Sequence, residues 1–268
     1  MKLFLTSLLV CTMAFVTVYN DPYFVIIIPS YNNHAWYKKN IDSVLMQKYP
    51  YYHAVYVNDC STDRTGELVA TYLKKKDLHK RITLITNQQR VGALANIYRE
   101  VYRCCDNQII VLLDGDDWFA HDGVLQKLKE AYTQNDSWLV YSQFMQIPMN
   151  EYGWNRSFSK NEYQNPNIPR DYSPSHLRTF YAGLFKKISQ EDLLHDGAFY
   201  SMTWDMAIML PMVEMASEGH VHFIPDVLYI YNHANPLSDH CVDAALQSRL
   251  CRIIRAKKKY EPLAQRPF

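Results

Sequence analysis

Glycine is scarce, 8 in 268 residues, and no glycine-rich phosphate loop follows any apolar run. That absence removes the loops by which many nucleotide-binding proteins cradle phosphates. A surplus of one charge sign is missing too: 28 Lys and Arg face 27 Asp and Glu, a net charge of +1. Nucleic-acid binders carry a clear basic excess, so that class loses its support. Six cysteines (Cys11, Cys60, Cys104, Cys105, Cys241, Cys251) show no metal-ligand spacing, and Cys104 and Cys105 are adjacent, where neighbours rarely bridge. Reduced or buried thiols are expected rather than a disulfide framework. The chain also lacks internal repeats and any linker marking two independent domains.

What is present is an ordinary globular composition, 48% hydrophobic and 21% charged, with 21 tyrosines. Tyrosine tolerates half-buried, polar-tipped positions, which suits a sugar-handling groove as well as a common surface. A chain of this length builds one large core or two small ones. Leu3 to Tyr19 is an apolar run with Lys2 before it and Asn20-Asp21 after it, the pattern of a signal peptide or membrane anchor. Its seventeen residues sit at the short edge of a spanning helix. Cleavage after Thr12-Met-Ala14 is the expected processing site, and Val10 before Cys11 makes a poor lipoprotein box. Secretory or membrane-associated location, through that leader, is the expectation.

The chain is organised around Ile109-Ile-Val-Leu-Leu-Asp-Gly-Asp-Asp-Trp118. Five apolar residues fit a fully buried strand. Asp114, Asp116 and Asp117 then crowd carboxylates at its end, where they repel unless a cation sits among them. Hard divalent ions such as Mg2+ or Mn2+ take one or two carboxylates plus substrate phosphates, so a nucleoside diphosphate is a natural companion. An EF-hand is excluded, because Phe119 stands where that loop needs glycine.

Phe24–Ile28 reads as another buried strand, closed by Pro29. His53–Val57 and Ile82–Ile85 read as strands, and Trp138–Tyr141 as a further one. Helical spacing joins Ile41, Val44 and Leu45, then Leu68, Val69, Tyr72 and Leu73 behind the N-cap candidates Ser61, Thr62 and Asp63, then Leu94, Ile97, Tyr98 and Val101, then Leu125, Leu128 and Tyr132. Strands alternating with helices predict βαβ units and an α/β fold with a mostly parallel sheet. Ligands then bind beyond the strands' carboxyl ends, where Asn32, Asp59 and Asp114 all fall. Residues 148–174, rich in Asn, Pro, Ser and Tyr and without a period, form a long functional or mobile loop. Trp204-Asp205 opens a Met-rich helix running past Pro211 to Met215. His220–Ile224 and Val227–Tyr231 read as two strands, and Ala244–Tyr260 as a terminal helix with a basic end.

Val25-Ile-Ile-Ile-Pro-Ser-Tyr-Asn32, Val57-Asn-Asp-Cys-Ser-Thr-Asp63, Asn87 to Asn96, Leu112-Leu-Asp-Gly-Asp-Asp117, Trp204-Asp205 and Tyr229-Ile-Tyr-Asn232 together resemble a family 2 glycosyltransferase of the GT-A fold. The resemblance spans about Phe24 to His240 and implies residues 22–242 as the transferase domain, with 1–20 a leader and 243–268 a C-terminal helix and tail. It implies inverting transfer of a sugar from a nucleotide-diphosphate donor to a hydroxyl of a glycan, lipid or protein. Pro29, Tyr31 and Asp59 match positions contacting base and ribose, and Arg90 is a candidate for the diphosphate. Asp114 and Asp116 match the Asp-x-Asp pair, with Asp116 on the metal and Asp114 on ribose or a metal-bound water. Asp205 matches the acceptor base, although Trp204 replaces the usual Glu. His240 is the chosen third metal ligand, with His233 its alternative. His176 and Arg178 are candidates for contacting acceptor or diphosphate, whereas His220 and His222 read as structural. Two rivals remain: a nucleotidyltransferase, for which Pro29-Ser-Tyr-Asn-Asn33 lacks Gly and Lys, and a non-catalytic nucleotide- or sugar-binding protein of the same fold.

Overall fold

A computed structural model describes residues 21–267 except 78, 166, 168, 169, 172 and 173, and at 239 and 240 the backbone alone. The leader therefore lies outside the described residues. Among those described, no helix is long and apolar enough to cross a membrane.

The first half alternates as its periodicity dictates: β1 (Phe24–Ser30), α1 (Tyr37–Leu45), β2 (Tyr52–Asn58), α2 (Thr65–Lys76), β3 (Ile82–Thr86), α3 (Ala93–Arg103) and β4 (Ile109–Leu112). Then come β5 (Trp118–Phe119), α4 (Val124–Gln134), β6 (Leu139–Ile147), β7 (Glu151–Tyr152), α5 (Lys160–Gln164), β8 (Arg178–Tyr181) and α6 (Ala182–Phe185). A short 3-10 turn at Gln190–Leu193 leads to β9 (Leu194–His195), β10 (Ala198–Phe199), α7 (Trp204–Met215), β11 (Val221–Asn232), α8 (Asp239–Val242) and α9 (Ala244–Ala256).

Eight strands lie in the order β3-β2-β1-β4-β8-β6-β11-β5, with β7 pairing onto β6. The first four are parallel, β6 and β11 are parallel, and β8 runs against both its neighbours. The predicted α/β sheet is present, but it is mixed and not mostly parallel: four of its strand pairs are parallel and four antiparallel, because β8, β7 and β5 each run against their neighbours. Both faces of β1 are buried, which explains its unbroken apolar run. Val25 and Ile27 join a core with α3, α6, α7 and α9, while Phe24, Ile26 and Ile28 join one with α1, α2 and α4. In α7 every residue from Met206 to Met215 is buried, so that helix is enclosed all round, with Glu214 its one charged residue in that span.

Four more expectations shift. Pro29 does not close β1: its carbonyl accepts from Gly115 N–H (3.1 Å), on the side where pairing with β4 has stopped at Leu112, so its missing N–H breaks no ladder bond. The two expected strands after His220 are one strand, β11, whose register slips between Ile224 and Tyr229 around Pro225-Asp226. The 148–174 stretch is not wholly irregular. It holds β7 and α5, the latter started by a capping box in which Ser159 and Glu162 bond each other's backbone. The terminal helix stops at Ala256, and its basic tail continues without regular secondary structure.

Candidate active site

The parallel strands β1, β2 and β4 end together, and the turns after them are locked to one another by short polar side chains. Asn32, at φ 54°, accepts from Thr62 N–H (2.8 Å) while its own N–H donates to Ser61 Oγ (3.0 Å). So Ser61 and Thr62 tie the first two loops together rather than capping α2. Asp63 makes the α2 contact, accepting from Thr65 N–H at 2.8 Å. Gly115 is required by close approach: a Cβ there would lie 2.6 Å from Ser30 Cβ and 2.7 Å from Asn33 Nδ2. Buried Asn40 donates to the carbonyls of Asp114 (2.9 Å) and Asp117 (2.8 Å), fixing the Asp-Gly-Asp-Asp turn from beneath.

At the end of β2, Asp59 is 3% exposed. Its carboxylate accepts from Asn87 Nδ2 (2.7 Å), Val91 N–H (3.0 Å) and Gly92 N–H (2.8 Å). Burial pushes this carboxyl up, but those donors outweigh it and hold it below the usual carboxylate range. Asp59 thus fastens the loop carrying Arg90, whose guanidinium stands 3.8 Å from the Tyr31 ring centre. Pro29, Tyr31, Asp59 and Arg90 are gathered at one end of the site.

The carboxylates after β4 part company. Asp116 is half-buried and accepts from Asn235 Nδ2 at 2.6 Å. Asp117 is fully buried, accepting from Tyr229 Oη (2.6 Å) and Asn232 N–H (2.8 Å). Burial, then the charges of Asp116 and Asp114, push its carboxyl well up. It is an anchor for β11. Asp114, its side chain 22% exposed, takes the guanidinium of Arg178 at 2.8 Å. Burial pushes Asp114 up too, and Arg178 opposes that rise.

Arg178 opens β8 and is 2% exposed. The reversed direction of β8 brings its first residue, instead of its last, to the rim beside Leu112. One terminal nitrogen donates to Asp114 and to His176 Nδ1 (2.7 Å); the other lies 3.7 Å from Asp205 Oδ2. Trp204 covers the guanidinium, 4.7 Å from its ring centre. Arginine has no acceptor, so His176 Nδ1 must carry the lone pair and its proton sits on Nε2. Burial and then Arg178 hold His176 well below the ordinary histidine range, keeping it neutral. Its ring stacks on Tyr229 (4.4 Å) and Tyr231 (4.8 Å). Asp205, in the first turn of α7 and 30% exposed, faces the same point.

Asp114, Asp117 and His176 offer ligand atoms all within 4.8 Å of one another, a set that can hold a metal ion. Those atoms are engaged here by Arg178 and Tyr229. Asp114 and Asp116 at the mouth provide the oxygen donors that hard divalent ions favour. The side chain of His240 lies outside the described residues. Its alternative, His233, bonds Gln146 Oε1 at 2.8 Å. His220 stacks flat on Trp138 (3.9 Å), a structural placement, as expected. The sequence reading gave no role to Asn40, Tyr229 or Asn235, and Arg178 proved more central than its adjacency to His176 suggested.

The model for glycosyl transferase family 2 matches residues 25–193. TuaG of Bacillus subtilis, a glycosyltransferase assigned to teichuronic acid biosynthesis, is 29% identical over 108 residues, 40% of this chain and 41% of TuaG. The chain spans less than half the length of the curated relatives it matches. Among solved structures, Staphylococcus aureus TarS 1-349 in complex with UDP-GlcNAc superposes with a TM-score of 0.60 at 16% identity, over 87% of this chain and 65% of that one. The mannosyltransferase PcManGT of Pyrobaculum calidifontis, in complex with GDP-Man and Mn2+, gives 0.60 at 19% identity, over 89% and 66%. The fold is GT-A, as these neighbours have it.

Proposed function

The chain belongs to glycosyl transferase family 2, and we propose from this that it moves a sugar from a nucleoside-diphosphate donor to an acceptor hydroxyl with inversion at the anomeric carbon. One observation carries the reading. Carboxylates from opposite halves of the chain, Asp114 and Asp116 after β4 and Asp205 at the start of α7, converge on one rim.

The nucleoside end of the donor is assigned to Pro29, Tyr31 and the Arg90 loop that Asp59 fastens. Asp114 and Asp116 would hold Mg2+ or Mn2+. When bound, such an ion supplies Lewis-acid and electrostatic stabilisation to the departing diphosphate. Asp205 takes the proton of the acceptor hydroxyl as its oxygen bonds to the anomeric carbon and the carbon–oxygen bond to the diphosphate breaks. Displacement from the face opposite the leaving group gives inversion. A glycan, lipid or protein hydroxyl serves as acceptor. The solved neighbours with UDP-GlcNAc and GDP-Man support a nucleotide sugar as donor.

Thermal unfolding with UDP, GDP or dTDP, with and without Mn2+, tests the donor half. One nucleotide raising the midpoint only with the ion is the expected result, and stabilisation by free sugar alone would point to a binding module. A panel of nucleotide sugars, scored for slow hydrolysis without acceptor, then names the donor.

A further inference from the structure

Three ligand-type side chains converge on one point of the site, and the cation already at that point is a guanidinium. Arg178 Nη2 lies 2.8 Å from Asp114 and 2.7 Å from His176 Nδ1, two members of the group that Asp117 completes. The same guanidinium reaches Asp205 at 3.7 Å. Asp114 belongs to the turn after β4 and Asp205 to α7, 91 positions later in the chain. No direct contact between these two acids is needed to relate them, because one planar fork hydrogen-bonds Asp114 and stands at ion-pair distance from Asp205.

We propose that Arg178 is a positioning residue for transfer, a resident cation that locks the donor-side carboxylate Asp114 to the acceptor-side carboxylate Asp205. This rests on the transfer reading above. The surroundings fit the role. Arg178 is held from three sides: the β8 backbone, paired with Leu112 and Tyr141; the lone pair of His176; and the face of Trp204. His176 itself stacks on the Tyr229 and Tyr231 rings, contacts that favour the orientation in which its acceptor nitrogen faces Arg178. A Glu at 204, the commoner residue in this family's motif, would put a further carboxylate beside the guanidinium. Trp204 gives it a π face instead and leaves its charge to Asp114 and Asp205. Being 2% exposed, Arg178 acts through these two acids and not by touching substrate.

Lysine keeps the charge but is a point donor, so it cannot serve Asp114, His176 and Asp205 at once. The test compares R178K with wild type in three measurements: the thermal midpoint, the Kd of the nucleoside diphosphate that stabilises wild type with Mn2+, and kcat for transfer. Misplacing a reacting group by about 1 Å costs about 100-fold in rate. R178K is therefore expected to bind the nucleotide within about threefold of wild type and to lose about 100-fold in kcat. W204L is the companion variant should R178K not fold. It alters no charge, and a roughly tenfold loss of kcat with unchanged nucleotide Kd is expected. A kcat within threefold of wild type in whichever variant folds overturns the inference. So does a fall in kcat matched by an equal weakening of nucleotide binding, which would make Arg178 a donor contact. A wild type that transfers beside such variants leaves the transfer reading standing. A wild type that neither binds a nucleoside diphosphate nor hydrolyses any nucleotide sugar overturns both.

Discussion

Two buried arginines lie against opposite ends of α7, and they live in different chemistry. Arg170, at the last turn, meets Glu214 with two bonds of 2.6 Å and spends its other donors on the carbonyls of Ile254 and Lys258. Glu214 in turn accepts from Tyr260 N–H. One cation, one anion and the tail carbonyls match, and the C-terminal strap is stapled to the helix. Arg178, at the first turn, faces Asp114 and Asp205 together and has a buried Nε with no hydrogen-bond partner. A saturated pair is a structural joint; an imbalanced cluster in a cleft marks working chemistry.

Substitutions sharpen that contrast. The largest effect belongs to the first-turn end. Asp205→Asn should cut transfer about 1,000-fold while nucleotide Kd stays at the wild-type value, read by steady-state kinetics beside calorimetry. Asp116→Asn should instead abolish the Mn2+-dependent part of nucleotide binding, seen as a midpoint no longer moved by the ion. At the other end, Glu214→Gln strands a buried guanidinium and should cost about 3–5 kcal/mol in denaturant unfolding. Its folded fraction should keep wild-type kcat; an activity loss exceeding the loss of folded protein would dissolve the distinction between the two ends. Gly115→Ala pushes a methyl into Ser30 and Asn33 and should cost about 1–3 kcal/mol of stability, with weaker nucleotide binding.

The smallest effect depends on pH. The folded-state carboxyl of Asp59 is held below its ordinary value of 3.8, so its contribution is present above that value and is lost as pH falls through the folded pKa. The stability gap between wild type and Asp59→Asn should be flat around neutrality and close below about pH 4. A gap that widened in acid would contradict the donor network drawn for it.

Much of this was legible in the chain itself. Unbroken apolar runs mark strands buried on both faces, and carboxylates at their ends mark the rim. Helical spacing located α1 to α4, and the Met-rich segment gave α7 its bounds. The remainder was hidden for physical reasons. Arg178 stands in a strand, where an arginine reads as an edge or solvent residue, and only the antiparallel course of β8 brings it to the rim. Asn40 and Asn235 act on residues 74 and 119 positions away, which no local period reports. Ser159-Lys-Asn-Glu162 did carry a readable capping signal, but no apolar run follows it to advertise a helix. Pro29 looked like a strand end because a missing donor matters only on a side that still has a partner.

The reversed course of β8 has one more consequence. Since that strand starts at the rim, the covalent path from 148 to 177 empties straight onto Arg178, and Asn155 already grips the His176 carbonyl at 2.6 Å. A substitution between β7 and α5, where Asn155 lies, would be felt at Arg178 through His176 while the β6–β7 pairs stayed in register. A library randomised over residues 153–159 thus reaches the arginine at the rim without touching the strand order beneath it.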